Sequence, residues 1–162
     1  MTEQFELIGN EPWLWKRSAD SLAYCAGILK QHRDQEQGLR ETDPGSTLVE
    51  LMLWGYTLEC LLKCLLLQND HRLVRGGKLN NKYKHHNLVK YAREAGFSLC
   101  DSQQDILERL SLIIRWGGRY PTAATAEGNL PRYWETPKDD EALGSLIECL
   151  TQQIDVLLRG IK

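Results

Sequence analysis

Residues 47–68 read TLVELMLWGYTLECLLKCLLLQ, an apolar run as long as a membrane span that nevertheless carries Glu50, Glu59 and Lys63. Charges at the depth of a bilayer core are expensive. The run therefore reads as the central helix of a bundle rather than as a span. Leucines and aromatics cover nearly its whole circumference, which requires burial on every side, by its own domain or by a partner chain. Thr47 and Glu50 have the spacing of a capping box at its start. Glu59 and Lys63 stand i, i+4 in the favourable order and are expected to pair structurally. Arg115 and Arg119 are alternative partners for Glu59, since a lone buried carboxylate would be costly.

Working outward, almost nothing alternates with period two and β-branched residues are sparse, so the pattern is helical throughout. A first helix is expected from Asn10 as N-cap, with Pro12 in its first turn and Leu14, Ala19, Leu22, Ala23, Ala26 and Leu29 inward. It fades into the polar run 31–41, and Asp43-Pro44-Gly45 reads as a turn. A third helix covers about 86–95 and stops at Gly96. Asp101 and Gln104 suit the cap of a fourth, whose stripe is Ile106, Leu107, Leu110, Ile113 and Ile114. A last helix runs over about 139–159. Residues 122–138 are irregular. The expectation is one all-α domain over residues 1–162, an antiparallel bundle of about five helices.

The chain has 162 residues and a formal net charge of −2, so there is no global pull toward nucleic acid or membrane and any anion site must be local. Residues 1–10 do not read as a targeting signal. Five cysteines lie without disulfide-framework spacing. Most sit in apolar helical contexts, which predicts reduced core thiols and a cytoplasmic setting. Cys60 and Cys64 share a helix face, but structural zinc usually needs two more ligands. No metal and no cofactor is expected. Phosphate-loop, dinucleotide, zincin and serine-elbow motifs are absent.

Two segments carry possible chemistry. Arg115-Trp116-Gly117-Gly118-Arg119-Tyr120-Pro121 ends the fourth helix. Its arginines offer planar donors to phosphate, and its glycines leave backbone N–H groups unshielded. The same residues also make an ordinary helix ending of cations, Gly and Pro. The second segment is the basic loop 70–85, with Gly76-Gly77 between Arg75 and Lys78. It reads either as an anion-binding element or as a solvated connection. Of the tandem His85 and His86, one is expected to be structural and the other exposed, with acid–base chemistry as the alternative.

Glu59-x-x-Leu62-Lys63, the stretch from His86 through Leu88, Tyr91 and Ala92 to Gly96, the amphipathic fourth helix and the segment 115–121 together resemble the HEPN (higher eukaryote and prokaryote nucleotide-binding) superfamily. The resemblance covers roughly residues 12–160. It implies a helical bundle that commonly dimerises, often a metal-independent RNase of toxin, phage-defence or RNA-processing type. The family signature is an arginine, then four to six residues, then a histidine. Here Arg115 is in place, and Tyr120 stands where the shortest spacing puts histidine. A tyrosine near its ordinary pKa of about 10 is a poor base at neutral pH.

The expected function is RNA or nucleotide phosphate binding by Arg115, Gly117, Gly118, Arg119, Arg75 and Lys78. A metal-independent endoribonuclease using Arg115, Tyr120 and His86 is the catalytic alternative. A noncatalytic interaction bundle is the third reading. The expected partners are a second copy of the chain, RNA or nucleotide, and a cognate protein, with no membrane.

Overall fold

The computed structural model describes residues 2–36, 44–117 and 137–160. The described residues form an all-α bundle of six α-helices with one two-stranded hairpin. The helices are α1 (Thr2–Gly9), α2 (Pro12–Glu36), α3 (Pro44–Gln68), α4 (Leu88–Glu94), α5 (Asp101–Leu112) and α6 (Lys138–Gly160). A π-helical turn, Ile113–Gly117, extends α5. No helix among the described residues is long and apolar enough to cross a membrane.

α3 is the hub, packing against α2, α4, α5 and α6. Leu58, Leu61, Leu62, Leu65 and Leu66 are fully buried, so the second half of α3 is covered by its own domain, while Val49 near its start is exposed. α2 runs antiparallel to it. Arg33 near the end of α2 meets Glu50 near the start of α3 at 3.0 Å. Trp15 near the start of α2 lies against Lys63. Gly55 lets α5 approach, since a Cβ there would sit 2.3 Å from Ile114 Cγ2.

Charge clasps hold the other end. Arg33 also donates to Asp140 at 2.7 Å, joined by Lys30 at 2.8 Å. Arg109 grips Asp139 through two bonds of 2.7 Å. Asp139 and Asp140 open α6, where carboxylates suit the helix dipole. Burial holds the Glu50 carboxyl above its ordinary range, and Arg33 opposes that shift.

Several sequence expectations are corrected. Residues 2–9 form an extra helix with no buried residue. Asn10 does not cap α2. Its side-chain amide instead brackets Val74, donating to the carbonyl at 2.8 Å and accepting from the N–H at 2.9 Å. α2 does not fade at residue 31, because buried Arg33 anchors the extra turns. Thr47 lies inside α3, which already begins at Pro44. The capping box therefore fails, Pro44 and Gly45 are helical where a turn was expected, Asp43 lies outside the described residues, and Glu50 serves Arg33 and the Trp54 indole instead. The cap of α5 falls one residue early, with Cys100 N–H donating to Gln103 at 3.2 Å. Of the five cysteines only Cys64 is fully buried, and Cys25, Cys100 and Cys149 are exposed.

The loop 70–85 is ordered. Val74–Arg75 pairs antiparallel with Lys78–Leu79, then comes a 3-10 turn, Asn81–Tyr83. Gly76 and Gly77 have φ of 61° and 70°, the positive values that a two-residue hairpin turn needs at both centres.

Gly55→Ala is expected to destabilise the fold by about 1–3 kcal/mol through overpacking against Ile114. Urea denaturation checks it, and an unchanged midpoint would refute the close approach.

Candidate functional site

Two charges on α3 would be costly if each were left alone. Glu59 and Lys63 are both almost wholly buried, and a 2.6 Å ion pair joins them across one helical turn. The Lys63 ammonium lies 5.0 Å from the Trp15 ring centroid and 5.4 Å from that of Tyr91. Aromatic faces stabilise a desolvated cation in that position. Tyr91 is itself fixed, its hydroxyl donating to the carbonyls of Tyr83 and His85, and burial pushes its pKa upward. The expected structural pairing of Glu59 with Lys63 is thus present, and no arginine among the described residues bonds either carboxylate oxygen.

The second oxygen of Glu59 meets His86 Nδ1 at 2.8 Å. A carboxylate only accepts, so Nδ1–H donates, and in the neutral ring the lone pair is on Nε2. His86 is half-buried, with its side chain 33 % exposed. Nε2 has no partner among the described residues and remains open to solvent. Asn87 supplies the local reason for this placement. It caps α4 by accepting from Lys90 N–H at 2.9 Å, so the chain turns sharply beside α3.

Two ties bring His86 to the segment that carries Arg115. Leu88 N–H donates to Ser111 Oγ at 2.9 Å, one turn before Arg115. Tyr56 lies edge-to-face with His86, ring centroids 6.0 Å apart, and its hydroxyl donates to the Ile114 carbonyl at 3.3 Å. Arg115 is exposed on the π-turn, and such turns frequently mark functional sites.

His85 takes a structural position. It stacks on Tyr91 with centroids 4.5 Å apart, and its Nδ1 accepts from Asn87 N–H at 3.2 Å. Burial lowers its pKa, with Lys90 adding to the effect.

Arg75 and Lys78 sit elsewhere. They are exposed cross-strand partners on the hairpin, which packs on α1. The structure does not join them to Arg115. An open groove of about 500 Å³ beside the hairpin is lined by Glu3, Glu6, Glu11 and Asp70 among others, a poor setting for phosphate. Gly118, Arg119 and Tyr120 lie outside the described residues, and Gly117 ends the π-turn.

Burial raises the Cys60 and Cys64 thiols to about 11 and about 12, so neither is a ready thiolate. Among the described residues no group of three or more His, Cys, Asp or Glu is placed to hold a metal ion. Sequence reasoning missed Tyr56, Trp15 and Ser111. Each acts through a contact distant in the chain, and only the aromatic enrichment of the helices hinted at two of them.

Comparison with protein-family models, with curated proteins and with solved structures gives no match.

Glu59→Gln should destabilise the protein by about 3–5 kcal/mol by leaving the Lys63 ammonium buried without its counter-charge. The double variant Glu59→Leu/Lys63→Met should recover most of that loss. Equal losses for the two in denaturant titration would contradict the pair.

His85 gives a pH signature. Its folded pKa lies below the ordinary 6.5, so as pH falls the unfolded chain takes up the proton first. The stability is fully present above about 6.5 and is lost as pH drops toward the lowered folded value. His85→Phe should flatten that part of a Tm-against-pH curve. An unaltered slope would remove His85 as its source.

Proposed function

We propose that the chain is a HEPN-like protein that binds RNA or nucleotide phosphate where the π-turn of Arg115 meets His86. One observation carries the reading. Tyr56 and Ser111 tie the exposed-arginine turn to a histidine that a buried carboxylate orients, on an otherwise near-neutral chain. Arginine matches phosphate oxygens with paired planar donors. A histidine with one nitrogen held and the other open adds a second hydrogen-bonding group for the same ligand. Gly117, Gly118, Arg119 and Tyr120 continue from that turn in sequence and belong to the proposed phosphate segment. Arg75 and Lys78, directly opposite each other on the hairpin, form a second cationic point that a longer RNA would reach. The setting proposed is cytoplasmic.

The apolar surface favours a second reading, a bundle that associates with a copy of itself or with a cognate protein. Trp13, Tyr24 and Ile28 are each more than half exposed along α2. They occupy one stripe opposite the buried Ala19 and Ala26, and exposed patches of this kind mark association surfaces. Most of the surplus among the described residues lies on α1 and α2, with Val49 on α3 and Val156 on α6 also exposed.

Labelled single-stranded RNA, titrated at two salt concentrations in chelator, tests the first reading. Arg115→Ala is expected to weaken binding and to reduce the salt slope by about one. Wild-type binding that ignores salt, or an Arg115→Ala slope equal to wild type, would remove the assignment.

A further inference from the structure

We propose that α1 and the groove beside it form a docking surface for a partner-protein segment that carries lysine or arginine around an apolar side chain. The surface shares no residue with the meeting point of Arg115 and His86. The inference therefore goes beyond the phosphate reading and does not rest on it.

A helix of eight residues is too short to be stable by itself, and α1 buries none of its residues. Polar ties hold it instead. Glu6 accepts from Gly77 N–H at 3.1 Å, the Trp15 indole donates to the Gly9 carbonyl at 3.0 Å, and Asn10 brackets Val74. Gly9 also seats against the hairpin, where a Cβ would collide with Val74 Cγ2. These ties set the helix in place without covering its apolar side chains. Leu7 is 74 % exposed, and Phe5 and Ile8 are half exposed. Three large apolar side chains on one short, fixed helix make an unpartnered face, the kind of patch that marks association.

The charge beside that face selects what covers it. The groove of about 500 Å³ has Leu7 and Leu67 as its apolar part. The carboxylates of Glu3, Glu6, Glu11 and Asp70 line it, and Arg72 is the single arginine or lysine among its described lining residues. Among the described residues no ion pair reaches any of those four carboxylates. Glu6 and Glu11 each give one oxygen to a backbone N–H, of Gly77 and of Trp13, which leaves a second oxygen on each.

Four carboxylates repel RNA and anionic lipid alike. A bare cation would satisfy the charge but leave Phe5, Leu7 and Ile8 uncovered. Lysine and arginine join a long apolar stem to a charged head. One such side chain covers Leu7 and Leu67 with its stem while its head meets the carboxylates. An apolar neighbour in the same segment then covers Phe5 and Ile8. Charge complementarity sets the choice of partner and its on-rate, and the covered leucine surface supplies affinity.

The test titrates the purified full chain against a fluorescein-labelled peptide of lysine and leucine in amphipathic helical order, read by anisotropy. The glutamate–leucine peptide of the same pattern is the control. The lysine peptide should bind and the glutamate peptide should not. Glu3→Lys/Glu11→Lys should weaken binding about tenfold or more, because like charges then face each other across the contact. Glu108→Lys/Glu141→Lys makes the same change of net charge on α5 and α6, outside the groove. It should leave affinity within about twofold, since exposed charges away from the contact are screened. Leu7→Ala, which removes no charge and no buried group, should weaken binding about tenfold.

No binding of the lysine peptide, equal binding of the glutamate peptide, or equal weakening by the two charge-reversed variants would overturn the proposal. Two other occupants have their own signatures. Sedimentation with phosphatidylserine vesicles that Leu7→Ala abolishes would assign the face to lipid. Self-association that Leu7→Ala abolishes, read by sedimentation velocity, would assign it to a second copy of the chain. Either result would overturn the inference.

Discussion

The Glu59–Lys63 ion pair inside α3 is the constraint on which the arrangement turns. The second half of α3 is covered on all sides and has no solvent-facing stripe for its charges, so these must be met within the bundle. Lys63 is met by Glu59 and by the faces of Trp15 and Tyr91. That draws the start of α2 and the body of α4 onto the same turn of α3. Glu59 then has one oxygen to spare, and His86 takes it. A buried pair of this kind adds little net stability, but removing one member is severe. Its effect is to specify which elements meet there.

A second set of charges makes an instructive contrast. Arg33, Glu50, Lys30 and Asp140 join α2, α3 and α6, and Arg109 with Asp139 joins α5 to α6. Those partners bond to one another and act as clasps between helix ends. The Glu59 cluster instead ends on a ring nitrogen that faces solvent, beside a π-turn that departs from regular helix. One polar network joins helix ends, while the other reaches a ring nitrogen at the surface.

Much of the fold was legible in the sequence because helices announce themselves through period. The leucine faces of α3, α5 and α6 lie where their spacing puts them, and Glu59 with Lys63 was legible as a local i, i+4 pair. The errors fall where local pattern is weak or where distant partners decide. α1 is short and buries none of its residues. The hairpin strands are two residues each, and their Gly-Gly turn resembled a flexible basic loop. Glu50 looked like a capping residue because its partner Arg33 lies across the bundle. Of the site, His86, Arg115 and Glu59 were named from sequence, but the contact of Glu59 with His86 and the tyrosine that ties His86 to the arginine turn were not. Those contacts span long stretches of chain, and no spacing rule reports them. Arg119 and Tyr120, prominent in the sequence, lie outside the described residues.

The most direct test of the central claim is the tautomer of His86, read by nitrogen-15 NMR of the side chain at a pH where the ring is neutral. If the Lys63-anchored carboxylate of Glu59 orients the ring, Nδ1 carries the proton and Nε2 does not. Glu59→Leu/Lys63→Met, which removes the carboxylate along with its counter-charge, should shift the population toward the other form. A wild-type ring protonated on Nε2, or one that averages both forms and ignores the loss of the pair, would contradict the account.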